Sequence, residues 1–266
     1  MKVEMLISTM NQENLNFFNE MNISTKSVII NQITNDSLNI PLKIENEQMV
    51  FLSLNEKGLS KSRNMALKNA TADICVICDD DMKYINGYEK VILNEYKENP
   101  DVDIIVFQVK KSDGSLYKKY SKRKKLLNFI TAMKVSSVEI TFKKKSIENN
   151  KIIYNELFGA GSKFFMGEES IFLSECIKKG LKVMFVPKTI GYLTDSESTW
   201  FKGFNSDYFR VKGACFYAMT PFFYWLLIFQ FAIRKYKLYK KDINLLDALK
   251  LMYVGKREYV NLINKN

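Results

Sequence analysis

The chain has 266 residues with 47% hydrophobic side chains, which is enough for one large domain or for one domain with an appendage. This composition excludes disorder over most of the chain. The formal net charge of +11 predicts an anionic partner, which is nucleic acid, a phosphorylated small molecule or a membrane surface.

Three short apolar segments in the first third of the chain have the length and β-branched content of buried parallel strands. They are VEMLIS at 3–8, SVIIN at 27–31 and DICVIC at 73–78. Helix-like stretches at 13–22 and 58–70 lie between them. This alternation predicts a doubly wound α/β unit, in which ligands bind at the carboxyl ends of the strands.

Neither the cysteine pair at 75 and 78 nor the apolar N-terminus indicates a special function. Cys75 and Cys78 form a C-x-x-C inside an apolar run without a second ligand pair, so we expect buried reduced thiols. The apolar part of the N-terminal MKVEMLISTM is too short for a signal peptide, and no small-residue cleavage site follows. We therefore expect the catalytic part to remain in the cytoplasm.

The same alternation continues to about residue 190, without an internal repeat. Gly180 closes one predicted helix, and Pro187 ends the strand that follows it. The predicted strands are 102–109, 137–142 and 181–187, and the predicted helices are 88–99 and 169–180.

Most of the net positive charge lies between residues 110 and 145, where only Asp113 and Glu139 oppose the lysines and Arg123. A solvated surface and a surface that approaches anionic lipid or a phosphorylated acceptor explain this equally well. Nucleic acid is disfavoured as a partner, because aromatic residues are sparse there and no nucleic-acid-binding motif is present.

An uncharged stretch of membrane-spanning length occupies residues 214–233. Pro221 interrupts it, aromatic residues typical of a membrane interface lie within it, and basic residues flank both ends. We therefore favour a helix or helical hairpin lying in the cytoplasmic leaflet over a membrane span. A buried core helix is the plainer alternative.

The acidic triplet Asp79–Asp81 directly follows a strand built for burial. Like charges at such close range require a counter-charge, and a divalent cation supplies one. Asp79 and Asp81 have the D-x-D spacing that points both side chains the same way from an extended segment. Since the chain has no histidine, oxygen-binding Mg²⁺ or Mn²⁺ is the predicted metal.

The segments on either side of the triplet strengthen this prediction. The helix that precedes it begins at a glycine and carries Lys61 and Arg63 near its start, which suits a diphosphate. Further on, the glycine-rich FGAGSKFFMGEES at 158–170 leads into Glu168 and Glu169 at the start of another helix. With histidine absent, Glu169 is the best-placed general base, although a first-turn helix acid is its plain alternative.

The order of STMN, GLSKSRNMALKNA, DDD and GEES resembles the family 2 nucleotide-sugar glycosyltransferases with the GT-A fold, over about residues 1–200. The resemblance implies a mixed sheet flanked by helices, a metal on Asp79 and Asp81 that binds the nucleotide diphosphate, and a base supplied by the acidic pair, with Glu169 as the base and Glu168 beside it. The residues predicted to bind the nucleotide sugar are Ser8, Thr9, Asn31, Lys61, Arg63, Asp79 and Asp80.

The sequence departs from the family pattern in two places. Asn31 and Gln32 stand where many relatives have an aspartate that reads the base and ribose, so uracil recognition is not implied. Many relatives also carry a metal-binding histidine where this chain has TDSESTW at 194–200. Either Asp195 substitutes for it, or the diphosphate and Asp81 suffice.

These observations together predict an inverting, metal-dependent glycosyltransferase with a catalytic domain at 1–205 and a helical, membrane-associated segment at 206–266. The acceptor is predicted to be a lipid-linked or cell-surface glycan precursor at the cytoplasmic face of the membrane, and Gly161 and Trp200 are candidates for shaping its site. Two other functions remain open. A sugar-phosphate nucleotidyltransferase would need a G-x-G-x-R loop that STMNQEN does not supply, and a basic membrane- or nucleic-acid-binding protein would need no metal.

Overall fold

A computed structural model of the protein describes residues 1–34, 42–194 and 203–265. The strands are β1 (Val3–Met10), β2 (Lys26–Gln32), β3 (Lys43–Glu45), β4 (Met49–Leu54), β5 (Ile74–Asp79), β6 (Met82–Tyr84), β7 (Ile104–Lys111), β8 (Lys125–Leu127), β9 (Ile140–Lys143) and β10 (Val183–Leu193). The helices are α1 (Asn16–Glu20), α2 (Leu59–Asn69), α3 (Tyr88–Glu98), α4 (Phe129–Ala132), α5 (Lys144–Asn149), α6 (Glu168–Lys178), α7 (Ser206–Met219), α8 (Tyr224–Tyr239) and α9 (Leu245–Ile263).

Within the described residues the strands form one mixed sheet of ten, in the order β3-β4-β2-β1-β5-β9-β7-β10-β6, with β8 also paired to β10. The strands β4, β2, β1 and β5 run parallel to one another. Strand β9 lies between β5 and β7 and pairs antiparallel with both, so it connects the two halves of the sheet. The predicted α/β class and mixed sheet are therefore confirmed.

Both faces of the parallel strands are buried, which explains their unbroken apolar sequences. In β5, Val76 and Cys78 contribute to the core on one face of the sheet, while Cys75 and Ile77 contribute to the core on the other. All four cysteines are buried and free, which confirms the expectation for Cys75 and Cys78.

Three predicted elements differ from the structure. Pro187 does not end its strand: β10 continues through it to Leu193, and the pairing with β7 shifts register between Phe185 and Gly191, which is how a strand accommodates a proline. The helix expected at 13–22 is only Asn16–Glu20, and the chain then turns at Asn22, which has a left-handed φ of 55° and donates its side-chain amide to the Tyr84 carbonyl at 2.8 Å. The strand expected at 137–142 begins only at Ile140.

The residues before β9 form a short 3₁₀ turn at Ser137–Glu139 because of one buried carboxylate. Glu139 is fully buried, and it accepts hydrogen bonds from the Ser136 backbone amide at 2.9 Å, the Lys118 ammonium at 2.7 Å and the Tyr120 hydroxyl at 2.5 Å. Burial raises the pKa of Glu139, and the interaction with Lys118 opposes that rise. Contacts with Lys118 and Tyr120, which are distant in sequence, therefore favour the 3₁₀ turn over an extended strand at 137–139.

The uncharged stretch 214–233 is divided between two helices, α7 and α8, with a break at Thr220–Phe223 around Pro221. No helix in the described parts of the chain is long and apolar enough to cross a bilayer. Part of the stretch is protein core: Cys215, Phe216, Ile228 and Phe231 are buried in a third hydrophobic cluster, separate from the two on the faces of the sheet. The membrane association of residues 206–266 stays a prediction.

This third cluster joins the C-terminal helices to the rest of the chain. It contains Phe158, Phe164 and Ile171 together with apolar residues of α7, α8 and α9. The predicted boundary at residue 205 coincides with the start of α7, but the core is continuous across it.

Helices α7 and α9 touch through their backbones at two glycines. A Cβ atom on Gly213 would lie 1.9 Å from the Met252 carbonyl oxygen, and one on Gly255 would lie 1.7 Å from that of Arg210. Neither helix can hold a side chain at the crossing point unless the helices separate.

Replacing Gly255 with alanine tests this crossing through the sign of its effect. In an unobstructed helix interior the change stabilises by about 1 kcal/mol. Here we expect a destabilisation of about 2 kcal/mol or more, because the new methyl group forces α7 and α9 apart. Chemical denaturation measures the change, with Lys250→Ala on the exposed face of α9 as the control, and a Gly255→Ala protein more stable than the parent would contradict the backbone contact.

Candidate active site

Three parallel strands end side by side at one edge of the sheet. The β1–β5 pairing places Ser8 beside Asp79, and the β1–β2 pairing places Thr9 beside Asn31. Four residues predicted to bind the nucleotide sugar are therefore neighbours at the carboxyl edge, which is where α/β sheets bind their ligands.

Arg63 connects this edge to the acidic pair. Its side chain is 1% exposed, with one guanidinium nitrogen 3.1 Å from an Asp79 carboxylate oxygen and another 3.0 Å from a Glu168 oxygen. Burial opposes the charge of the guanidinium, but Asp79 and Glu168 outweigh that effect and raise the pKa of Arg63. One buried cation thus ties α2 to the end of β5 and the start of α6.

The role predicted for Arg63 therefore needs refinement. The contact of Arg63 with a nucleotide stays a prediction, whereas the structure shows that its charge already serves two carboxylates. Lys61, two residues earlier on α2, has a side chain that is 43% exposed and lies 3.9 Å from Glu56. Of these two residues, Lys61 is the one whose charge is accessible to a ligand.

Each aspartate of the triplet is held by a different part of the chain. Asp79 accepts from Arg63 and, at 3.3 Å, from the Ser137 hydroxyl, whereas Asp80 accepts from the Thr9 hydroxyl and from Gln12. The Asp81 backbone carbonyl accepts two hydrogen bonds from Thr194, just after β10. The protein itself thus compensates part of the repulsion that the sequence attributed to a metal.

The ends of β1 and β2 are fixed by buried polar side chains. The Ser62 hydroxyl donates to the Ser8 hydroxyl at 2.8 Å. Asn31 is fully buried and bonds both the amide and the carbonyl of Gln12, at 3.0 and 2.9 Å. Any contact of Asn31 with a nucleotide, which stays a prediction, would have to share these groups with Gln12.

The acidic pair follows Gly167, whose left-handed φ of 101° starts α6. Glu168 is buried against Arg63, while Glu169 remains partly exposed. Burial, and then the charge of Glu168, raise the pKa of Glu169. A carboxylate with a raised pKa and a path to solvent is suited to accept a proton.

The glycine-rich loop lies against the start of α2. The Leu59 amide donates to the Ala160 carbonyl at 2.9 Å, and the Gly58 amide donates to the Gln32 side chain at 2.7 Å. Gly161 has a left-handed φ of 78°, and a Cβ there would lie 2.9 Å from the Lys57 side chain. The other residue predicted to shape the acceptor site, Trp200, lies outside the described residues, as does Asp195.

Sequence reasoning missed three side chains of this site. Ser137 bonds Asp79 and Gln12 bonds Asp80, while Tyr117 is linked to the acids through its pKa. Burial raises the pKa of Tyr117, and the charges of Glu139, Asp81 and Glu169 add to that rise. The only signal for Tyr117 was its place within the basic interval 110–145, part of which folds back onto the site.

A metal would have to rely on few protein ligands. In the described portion of the chain no group of three or more histidine, cysteine, aspartate or glutamate side chains is arranged to hold one. Mg²⁺ and Mn²⁺ take oxygen ligands and commonly use one or two carboxylates, with substrate phosphates and water completing the shell.

Replacing Arg63 with methionine tests the buried bridge. We expect a loss of about 3 kcal/mol in the free energy of unfolding, because two carboxylates lose a buried partner. Lys61→Met, on the same helix, should change it by less than about 1 kcal/mol because Lys61 is exposed. Urea denaturation of both proteins measures the difference, and equal small effects would show that the bridge contributes little.

Comparison with solved structures shows the fold. S. aureus TarS 1-349 is 14% identical, with 98% of this chain and 83% of that chain covered and a TM-score of 0.62. The same protein in complex with UDP is 15% identical, with 98% of this chain and 83% of that chain covered and a TM-score of 0.61. In complex with UDP-GlcNAc it is 14% identical, with 93% of this chain and 77% of that chain covered and a TM-score of 0.60. The shared fold agrees with the predicted GT-A-type architecture.

Comparison of the sequence with known families identifies the chain more directly. A search of curated proteins finds no match. The model of glycosyl transferase family 2 matches residues 34–172, which is more than half of the chain and includes α2, the acidic triplet and the acidic pair. The chain therefore belongs to glycosyl transferase family 2.

Proposed function

We propose that this protein is an inverting, divalent-metal-dependent glycosyltransferase that moves a sugar from a nucleotide sugar to a lipid-linked or cell-surface glycan precursor. The observation that carries the proposal is the Arg63 bridge, which brings Asp79 and Glu168 into one site. The triplet and the acidic pair are far apart in sequence. The bridge lets the triplet act on the diphosphate leaving group while the acidic pair acts on the acceptor hydroxyl.

The donor is a nucleoside diphosphate sugar bound at the carboxyl edge of β1, β2 and β5. Two of the similar structures hold UDP and UDP-GlcNAc, which makes uridine-linked sugars the first donors to test. Lys61 is the cation proposed to approach the diphosphate, since its side chain is 43% exposed at the start of α2.

The metal is Mg²⁺ or Mn²⁺, held principally by Asp81 with Asp79. When bound, it would stabilise the negative charge of the diphosphate leaving group. One oxygen of Asp79 already faces Arg63, so this residue has less capacity to bind a cation. For that reason Asp81 is the more informative residue to change.

The general base is Glu169. The acceptor hydroxyl oxygen forms a bond to the anomeric carbon, the bond from that carbon to the diphosphate oxygen breaks, and the proton of the hydroxyl passes to the Glu169 carboxylate. Direct displacement of this kind inverts the anomeric centre. Burial, and then the charge of Glu168, raise the pKa of Glu169, which favours proton capture.

The acceptor is proposed to bind beside the glycine-rich loop around Gly161, at the cytoplasmic face of the membrane. The lysines of the basic interval are only in part available to an anionic membrane surface, because several of them already pair with acidic residues of the protein. Lys118 pairs with Glu139, Lys124 with Glu95 and Glu98, and Lys144 with Glu148. Membership of glycosyl transferase family 2 favours transfer over the nucleotidyltransferase and non-enzymatic alternatives.

Binding of the donor should raise the melting temperature only when a metal is present. We expect UDP with Mn²⁺ to stabilise the parent protein by several degrees, at a ligand concentration about one hundred times Kd. Asp81→Ala should abolish the shift, and Asp101→Asn, which changes an exposed acid away from the triplet, should retain it. A shift that persists in Asp81→Ala would remove Asp81 from the metal site.

Glu169→Gln should retain the nucleotide-dependent shift and stop sugar transfer, with a loss of about 10² to 10⁴ in rate. Only the ionised carboxylate accepts a proton. Because the pKa of Glu169 is raised above the usual glutamate value of 4.5, kcat/KM of the parent should increase with pH over a range that lies above 4.5. Glu175→Gln, on the outer part of α6, is the matched control.

NMR of the product reports the anomeric configuration and tests the same mechanism. Normal transfer by Glu169→Gln would contradict the assignment of the base, and a retained configuration would contradict direct displacement.

A further inference from the structure

Helix α8 is apolar on the side that faces away from the protein. Its inner face packs Leu227, Ile228, Phe231 and Ala232 into the third cluster, as expected for a helix on a folded domain. Its outer face would normally be polar. Instead it exposes Trp225, Leu226, Phe229, Ile233 and Tyr236, at spacings of one, three and four residues.

The turn before α8 extends the same apolar surface. Phe222 is 83% exposed and Phe223 is 61% exposed, beside Pro221. Soluble proteins rarely leave a continuous apolar surface of this kind uncovered unless it binds something. We define the outer face of α8 together with Phe222 and Phe223 as the α8 surface.

The charges around this surface have one sign. Arg234, Lys235, Lys237, Lys240 and Lys241 lie in and just after the second half of α8. No aspartate or glutamate occurs anywhere from residue 208 to residue 241. A helix with this much basic charge and this much exposed apolar surface fits a layer that is apolar inside and anionic at its boundary.

We propose that the α8 surface docks on an anionic lipid bilayer, with the helix lying parallel to the membrane plane. Trp225 and Tyr236 would occupy the depth of the headgroups, Phe229 and Ile233 would enter the acyl region, and the lysines would meet lipid phosphates. The inference rests on the membrane location in the proposed function and assigns it a surface.

The structure makes a second copy of the chain a weaker candidate for this surface. Each copy carries a net charge of +11 and would bring its own lysines close to those of its partner. A lipid headgroup supplies the opposite charge that a second copy lacks. Self-association is nevertheless a distinct outcome of the experiment.

Co-sedimentation with vesicles tests the proposal. We expect the full chain to bind phosphatidylcholine vesicles that contain phosphatidylglycerol, and to bind less at about 1 M salt, where charges are screened. Phe229→Ser with Ile233→Ser should weaken binding by at least about tenfold. Lys237→Gln with Lys240→Gln should weaken it by about fivefold per charge at low salt.

The matched control is Ile153→Ser, since Ile153 is 67% exposed and Ile233 is 65% exposed. This control should bind vesicles like the parent. In a Trp200→Phe protein, Trp225 is the only remaining tryptophan, so brominated lipids should quench its fluorescence if the α8 surface enters the bilayer.

Each alternative result overturns the proposal in a recognisable way. Failure of the parent to bind, binding unaffected by the paired serines, or an unquenched Trp225 would each exclude docking by this surface. Dimers that the paired serines dissociate, without vesicle binding, would assign the surface to a second copy. The UDP and Mn²⁺ thermal shift, measured on the same proteins, reports the catalytic proposal separately.

Discussion

The candidate site depends on one cation placed where water cannot reach it. Arg63 is buried between Asp79 and Glu168, and without it the buried Glu168 carboxylate would lose its counter-charge, whereas Asp79 is 29% exposed. The bridge fixes β5, α2 and α6 relative to one another. Asp80 and Asp81 lie beyond its two partners, and their negative charge is the feature that would favour the divalent cation of the proposed function.

Each aspartate of the triplet is also held in place by a hydrogen bond from a different part of the chain. Thr9 bonds Asp80, Ser137 bonds Asp79, and Thr194 bonds the Asp81 backbone, so three separate segments converge on three consecutive residues. A strand buried on both faces provides the rigid base from which these acids project. Rigidity here comes from the sheet, and charge balance comes from its neighbours.

The elements with strong local signals could be predicted from the sequence. Strands β1, β2, β5 and β7 are apolar runs, and α6 begins after a glycine and ends near Gly180. The short α1 and the turn before β9 could not be predicted, since contacts distant in sequence decide them: Asn22 with Tyr84, and Glu139 with Lys118. Likewise, proximity to a helix start cannot show that Arg63 points inward while Lys61 does not.

The apolar stretch at 214–233 shows a different limit, because hydrophobicity does not distinguish a protein core from lipid. Part of it shares one hydrophobic cluster with Phe158, Phe164 and Ile171, and the thiol of Cys215 lies against the Gly167 turn that precedes Glu168. A chain ending at residue 205 would therefore leave Phe158, Phe164 and Ile171 without this cover. A tail of different sequence would have to supply the same cover, or the loop that carries the acidic pair would lose the packing on its apolar side.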